Sequence, residues 1–205
     1  MSIEIQNLTT SVFDNINLSI LENGLYGIIG RNGAGKSTLF TAINGEMKLK
    51  SGQISTGSVV YIPNLDIFDK NLSATDYIKL LTGEAQNRAK QLMPLFQASR
   101  FFDKKIRTYS LGMQEILAFI YTMSLPSDVI IVDELMNGLD NTMRELAFRI
   151  LKDEAQHKII LLTSHILEEV EKYCDKVYFL ARDGFSEVED FAEAKKLIEE
   201  NEVFV

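Results

Sequence analysis

Residues 25–44 read Leu25-Tyr-Gly-Ile-Ile29, then Gly30-Arg-Asn-Gly-Ala-Gly-Lys-Ser-Thr38, then Leu39-Phe-Thr-Ala-Ile-Asn44. The first run is short and apolar, as a buried strand is. From Ser37 to Asn44 the composition is that of the opening turns of a helix. Between strand and helix stands the pattern G-x-x-x-x-G-K-[ST], and that context makes a phosphate site of a short motif. Gly30, Gly33 and Gly35 lack a Cβ, so the backbone can wrap an anion and take positive φ cheaply. Asn32, Ala34 and Thr38 complete the loop. A helix starting near Lys36 adds free N–H groups and the positive end of its dipole. A nucleoside triphosphate brings about four negative charges to such a loop. Lys36 supplies a point charge for the β- and γ-phosphates. Ser37 offers a hydroxyl to Mg²⁺, which keeps several waters and takes few protein ligands.

The remaining chemistry follows other apolar runs. Val129-Ile-Ile-Val132 leads into Asp133-Glu134, Ile159-Ile-Leu-Leu-Thr163 into Ser164-His165, and Val59-Val-Tyr-Ile62 into Pro63-Asn64. Continuous apolar strands alternating with helices imply a parallel sheet covered on both faces. In such sheets ligands bind beyond the carboxyl ends of the strands, so these residues are expected around one nucleotide. Asp133 suits Mg²⁺ held through its water shell. Glu134 points differently and suits orienting or deprotonating an attacking water. His165 suits a hydrogen bond to the γ-phosphate. His157, in a polar loop, reads as exposed.

The chain has 205 residues, 46% hydrophobic and 24% charged, which supports a substantial core and excludes disorder. Its net charge of −8 disfavours a nucleic-acid surface. The longest apolar runs, Ile116–Met123 and Val129–Val132, are too short to cross a bilayer. Met1-Ser-Ile-Glu-Ile-Gln lacks the basic start and apolar stretch of a signal peptide. The lone Cys174 forms no intrachain disulfide and reads as a small core residue, so a cytoplasmic location is expected.

The segments outside the loop sort by period. Ile3, Ile5 and Leu8, then Ile16, Leu18 and Ile20, predict an antiparallel strand pair. Asn23-Gly24 reads as a turn, and a short strand lies between Ser51-Gly52 and Thr56-Gly57. Helical character runs from Leu72 to Leu125. One helix starts at Ser73-Ala-Thr-Asp76 and stops at Thr82-Gly83. A second starts near Glu84 and is kinked or broken by Pro94, and a third covers Gly112–Ser124. Strand and helix then alternate to a last helix over Asp190–Glu199, with a turn at Asp183-Gly184 before it. The expected division is one domain over 1–205: a core with an antiparallel β part over 1–71 and 126–205, and a helical subdomain over 72–125.

With these motifs in this order, the chain resembles the ATP-binding cassette (ABC) ATPases, of the bacterial export type, from Ile3 to about Phe185. Tyr109-Ser-Leu-Gly-Met113 resembles the family's signature, Val132-Asp-Glu134 its Walker B motif with the catalytic glutamate, Asn137-Gly-Leu-Asp140 its D-loop and Thr163-Ser-His165 its switch histidine. The resemblance implies an α/β P-loop NTPase with a mostly parallel core sheet, an antiparallel β subdomain and a helical insertion. It implies that ATP is bound with Mg²⁺ and hydrolysed to power transport, by export, through separate transmembrane permease subunits. Ser110, Gly112 and Asp140 would meet the ATP of a second subunit in a head-to-tail homodimer, or a heterodimer with a related cassette. The chain would then lie on the inner face of the cell membrane. Asn64 stands where the family has a metal-contacting glutamine, one methylene shorter. Phe13 is the one aromatic in the short segment where the family often stacks adenine, and it reads as core. Arg144 and Arg149 read as surface charges. Two other readings fit the same residues: a low-turnover ATP-binding regulatory module, and a soluble cassette ATPase not linked to transport.

Overall fold

A computed structural model of the chain describes residues 1–181 and 184–199, and the side chains of these except 197 and 199. The predicted turn at Asp183-Gly184 falls partly outside them.

Two sheets carry the fold. Strands β1 (Ile3–Thr9), β2 (Ile16–Ile20) and β4 (Ser51–Thr56) form an antiparallel sheet in the order β2-β1-β4. Alternation buries Ile3, Ile5 and Leu8 of β1 and Ile16, Leu18 and Ile20 of β2. The step from Ile5 to Leu8 breaks period two. Asn7 takes a φ of 51° there, and the register slips between Ile5 and Leu8. A bulge thus returns Leu8 to the inner face.

The second sheet has six strands in the order β5-β6-β7-β3-β8-β9. These are β3 (Gly24–Ile29), β5 (Val59–Tyr61), β6 (Val129–Asp133), β7 (Ile159–Thr163), β8 (Lys176–Ala181) and β9 (Gly184–Glu187). All neighbours run parallel except β8 and β9. Every residue of β3 and β7 is buried, which explains why neither alternates: helices cover both faces. The expected α/β architecture, with its mostly parallel core sheet and antiparallel β part, is present. Gly24 opens β3, so the turn signal at Asn23-Gly24 marks the strand's first residue.

The helices are α1 (Lys36–Ile43), α2 (Ala74–Leu80), α3 (Gly83–Leu95), α4 (Leu111–Ser124), α5 (Asn141–Glu154), α6 (Leu167–Tyr173) and α7 (Phe191–Glu199). Ser73 starts α2 with a capping box: its side chain accepts from the Asp76 N–H while the Asp76 carboxylate accepts from the Ser73 N–H. Two boundaries differ from the sequence expectation. Helix α2 ends at Leu80, so Thr82-Gly83 does not stop it; Thr82 precedes α3 with no side-chain cap bond, and Gly83 opens that helix with a φ of 55°. Helix α3 runs through Pro94 and ends one residue later. Pro94 stands in the last turn, where its missing N–H ends a helix that was finishing anyway.

One apolar cluster runs from Ala89, Leu92 and Phe96 through Leu117 and Phe119 to Ile130 and Leu162, so the helical stretch and the parallel sheet share a core. Phe68, Tyr77 and Tyr121 pack edge to face, with ring centroids 5.0–6.2 Å apart, and fasten the segment after Asn64 to α4. Phe13 is 2% exposed and belongs to the second core. Cys174 packs between two apolar clusters, and burial pushes its thiol up to about 12. Arg149 and His157 are exposed. Among the described residues no helix is long and apolar enough to cross a membrane.

Candidate functional site

Register brings the strand ends together. Gly27 of β3 and Val132 of β6 both pair with Leu162 of β7, and Asp133 pairs with Thr163. Two or three residues further on, Gly30, Glu134 and His165 leave the same edge of the sheet. There Gly30, Asn32, Lys36, Glu134, Ser164 and His165 line one cavity of about 190 Å³. A larger groove, about 790 Å³, runs elsewhere between Leu80, Arg88, Tyr121 and Lys158 and contains none of these groups.

The glycine loop is shaped for close approach. Gly33 and Gly35 take φ values of 75° and 101°, in the left-handed region that favours glycine. A Cβ on Gly35 would lie 2.5 Å from the Phe13 ring, so Phe13 holds the loop from below. Nothing lies within 4 Å of a Cβ position on Gly33, where the loop is open. The first helical bond of α1 runs from Leu39 N–H to Gly35 O at 2.8 Å, leaving the amides of Lys36, Ser37 and Thr38 ahead of it. The Ala34 amide instead donates to Arg31 O at 3.0 Å and closes the turn. Lys36 Nζ donates to the Gly30 and Arg31 carbonyls, at 2.9 and 3.2 Å. Burial pushes the Lys36 ammonium below the usual lysine range, and Glu134 and Asp133 pull it back up. A cation held over open backbone N–H groups fits a polyphosphate.

Asp133 is the hub of the strand ends. Its Oδ2 accepts from the Ser37 hydroxyl at 2.9 Å and from the Tyr61 hydroxyl at 3.1 Å; its Oδ1 accepts from Thr163 Oγ1 at 2.7 Å. Thr163 Oγ1 in turn accepts the Glu134 N–H at 3.0 Å. Glu134 sits at a φ of 54°, a strained position for a residue with a Cβ, and such strain gathers at working sites. Its Oε2 lies 2.8 Å from His165 Nε2. A hydroxyl beside a carboxylate is the oxygen set that Mg²⁺ takes, so Ser37 and Asp133 fit that ion. Asn64, just past the end of β5, is engaged otherwise. Its Oδ1 accepts the Asp66 N–H at 2.9 Å and caps a turn over Leu65–Ile67.

The chain belongs to the ABC transporter family. The family model described as ABC transporter matches residues 13–137, more than half the chain. The chain is its ATP-binding, ATP-hydrolysing component. It is 31% identical over 202 residues to the teichoic acids export ATP-binding protein TagH of Lactococcus lactis subsp. lactis, an alignment covering 93% of this chain and 42% of that protein. It is 30% identical to the polysialic acid transport ATP-binding protein KpsT of Escherichia coli, over 84% of this chain and 85% of that one. It is 32% identical to the lantibiotic transport ATP-binding protein SrtF of Streptococcus pyogenes, over 87% of this chain and 86% of that one. A solved structure of the ATP-binding subunit of an ABC transporter superposes with a TM-score of 0.78 at 21% identity, covering 97% of this chain and 95% of that one, and shows the same fold.

The family signature lies apart from the strand ends. Ser110 caps α4, its Oγ accepting the Met113 N–H at 3.3 Å, and is exposed. Tyr109 anchors the stretch, its hydroxyl 3.0 Å from Phe101 O. Gly112 has a packing reason to be glycine: a Cβ would lie 2.6 Å from the Gly138 carbonyl in the D-loop. Asp140 caps α5, accepting the Met143 N–H at 2.9 Å. Sequence reasoning passed over Tyr61, although it stands two residues before the Pro63-Asn64 strand end. It also misread Arg144. That side chain is only 14% exposed, donates to Leu139 O at 2.6 Å and pairs with Glu169 at 3.3 Å, so it is no surface charge.

Proposed function

We propose that two copies of this chain, or this chain and a related cassette, close head to tail over two ATP molecules, and that hydrolysis reopens them. The Glu134–His165 contact in the lining of the phosphate-loop cavity carries the hydrolytic part of this reading, and the exposed Ser110 cap supports the pairing. Glu134 is the base that takes a proton from the attacking water. His165 holds Glu134 and donates to the γ-phosphate oxygens, and Lys36 neutralises charge on the β- and γ-phosphates. Ser37 and Asp133 would hold Mg²⁺, with Tyr61 and Thr163 fixing the Asp133 carboxylate. Mg²⁺ supplies charge neutralisation on the transferring phosphoryl group. Asn64 would serve the metal only if it gave up its bond from the Asp66 N–H. Ser110, Gly112 and Asp140 serve the ATP of the opposite copy.

Closure is useful only if it moves something. On this reading the chain works on the inner face of the cell membrane through separate membrane subunits and drives export; the names of the similar proteins, one export and two transport ATP-binding proteins, support the transport part. The segment 64–81, with Ile67 49% and Leu80 69% exposed, offers them an apolar surface. The test is steady-state ATP hydrolysis by Glu134→Gln. Loss of turnover by a factor of about 10² or more with ATP binding intact supports Glu134 as the base; unchanged hydrolysis removes it.

A further inference from the structure

Glu115 is a buried carboxylate that the hydrolysis chemistry does not use. It lies on α4, which is buried all round from Glu115 to Ile120, where its neighbours are Ile116, Leu117, Ala118, Phe119 and Ile120, and it is 3% exposed. An ion so placed is costly unless its partners are well set. Its Oε2 accepts the Gly138 N–H at 2.8 Å. A Cβ on Gly138 would lie 2.9 Å from Leu111 Cγ and 3.1 Å from Glu115 Oε2, and Gly112 approaches Gly138 from the same side. The first turn of α4 and the 137–140 turn therefore fit without slack. Arg144 of α5 continues the contact, through the Leu139 carbonyl on one side and Glu169 of α6 on the other. Helix α6 follows directly after His165. Arg144 is also the charged group that acts on Glu115.

We propose that Glu115 is a positioning residue: it clamps the D-loop to the signature helix, and Arg144 carries the clamp to the helix behind His165. This rests on the closed-pair reading, in which Ser110 serves the opposite copy's ATP while Glu134 and His165 serve their own. The clamp then ties the two ATP sites together within each chain, so that placing one end places the other. Coupling of this kind needs a residue that holds both elements, and it works in both directions.

Glu115→Gln keeps an acceptor for the Gly138 N–H and removes the charge; Glu115→Leu removes both. Amide exchange at 136–140 is expected to quicken about tenfold in E115L and less than about threefold in E115Q. The kcat for ATP is expected to fall about tenfold in E115L with KM within about twofold, and E115Q is expected to recover most of it. Burial pushes the Glu115 carboxyl up to about 7, against the pull of the Gly138 amide and Arg144. Protonation keeps an acceptor for the Gly138 N–H but removes the charge that faces Arg144, so wild-type kcat falls as pH drops through about 7 only to the level of E115Q, about twofold to threefold, and E115Q lacks that limb. Lys36, Glu134 and His165 are common to both proteins, so the difference isolates Glu115. Unchanged exchange and kcat in E115L, or an unchanged acid limb in E115Q, overturns the clamp. If E115L does not fold, the E115Q pH profile decides. If the wild type hydrolyses no ATP, the hydrolytic reading fails, and exchange at 136–140 still judges the clamp.

Discussion

At the carboxyl edge of the parallel sheet, hydrogen bonds of 2.7–3.0 Å join Ser37, Asp133, Thr163 and Glu134, and His165 Nε2 lies 2.8 Å from the Glu134 carboxylate. At the start of α4, the Ser110 side chain bonds its own helix, through the Met113 N–H, and no other group among the described residues. The two regions carry comparable chemistry for anions, an ammonium and open amides in one and a capped helix N-terminus in the other. The first has its strand-end groups assembled within one chain because register places them. The second is held firmly from behind, by Tyr109, Glu115 and the Gly112–Gly138 contact, and presents Ser110 outward. An exposed cap of this kind fits the proposal that a second copy supplies the nucleotide it meets.

Substitutions can probe this contrast at either end. The largest effect is expected at the assembled end. Lys36→Ala removes the cation over the loop and should lower kcat/KM for ATP by about 10²–10³, measured as phosphate release. Retained turnover would take Lys36 out of the site. At the other end, Gly112→Ala sets a Cβ 2.6 Å from the Gly138 carbonyl, which is backbone and cannot swing aside. It should cost about 1–3 kcal/mol of stability and several-fold in turnover, read by thermal melting and by phosphate release. ATP binding by the single chain should stay unchanged, which separates the two regions. Tyr61→Phe is the mildest. It removes one donor to Asp133 and should lower turnover about fivefold and raise the Mg²⁺ needed, for about 1 kcal/mol. No change in Mg²⁺ dependence would make Tyr61 a core residue only.

Much of this was legible in the residue order. The strands β3, β6 and β7 announce themselves as unbroken apolar runs, and parallel topology then places whatever follows them at one edge. The resemblance to the ABC ATPases pointed to the signature stretch, and the family match agrees with the family alone. What escaped reading depends on contacts between distant segments. Tyr61 looked like strand interior, and only the β5–β6 pairing shows that its hydroxyl reaches Asp133. Arg144 looked like a surface charge because helix period alone does not reveal that Leu139 and Glu169 enclose it. Glu115 left one trace, a carboxylate within an apolar helix. Thr82-Gly83 misled because a glycine with positive φ ends helices more often than it opens one.

If the phosphate loop of one chain is completed by the signature of another, ATP must bring two chains together. The decisive quantity is the solution mass of Glu134→Gln by light scattering, with and without ATP and Mg²⁺. The mass of two chains is expected with ATP and of one chain without it, with the doubling lost when Ser110→Arg is added. A mass of one chain at saturating ATP, with ATP shown to be bound, would mean that each phosphate loop works alone.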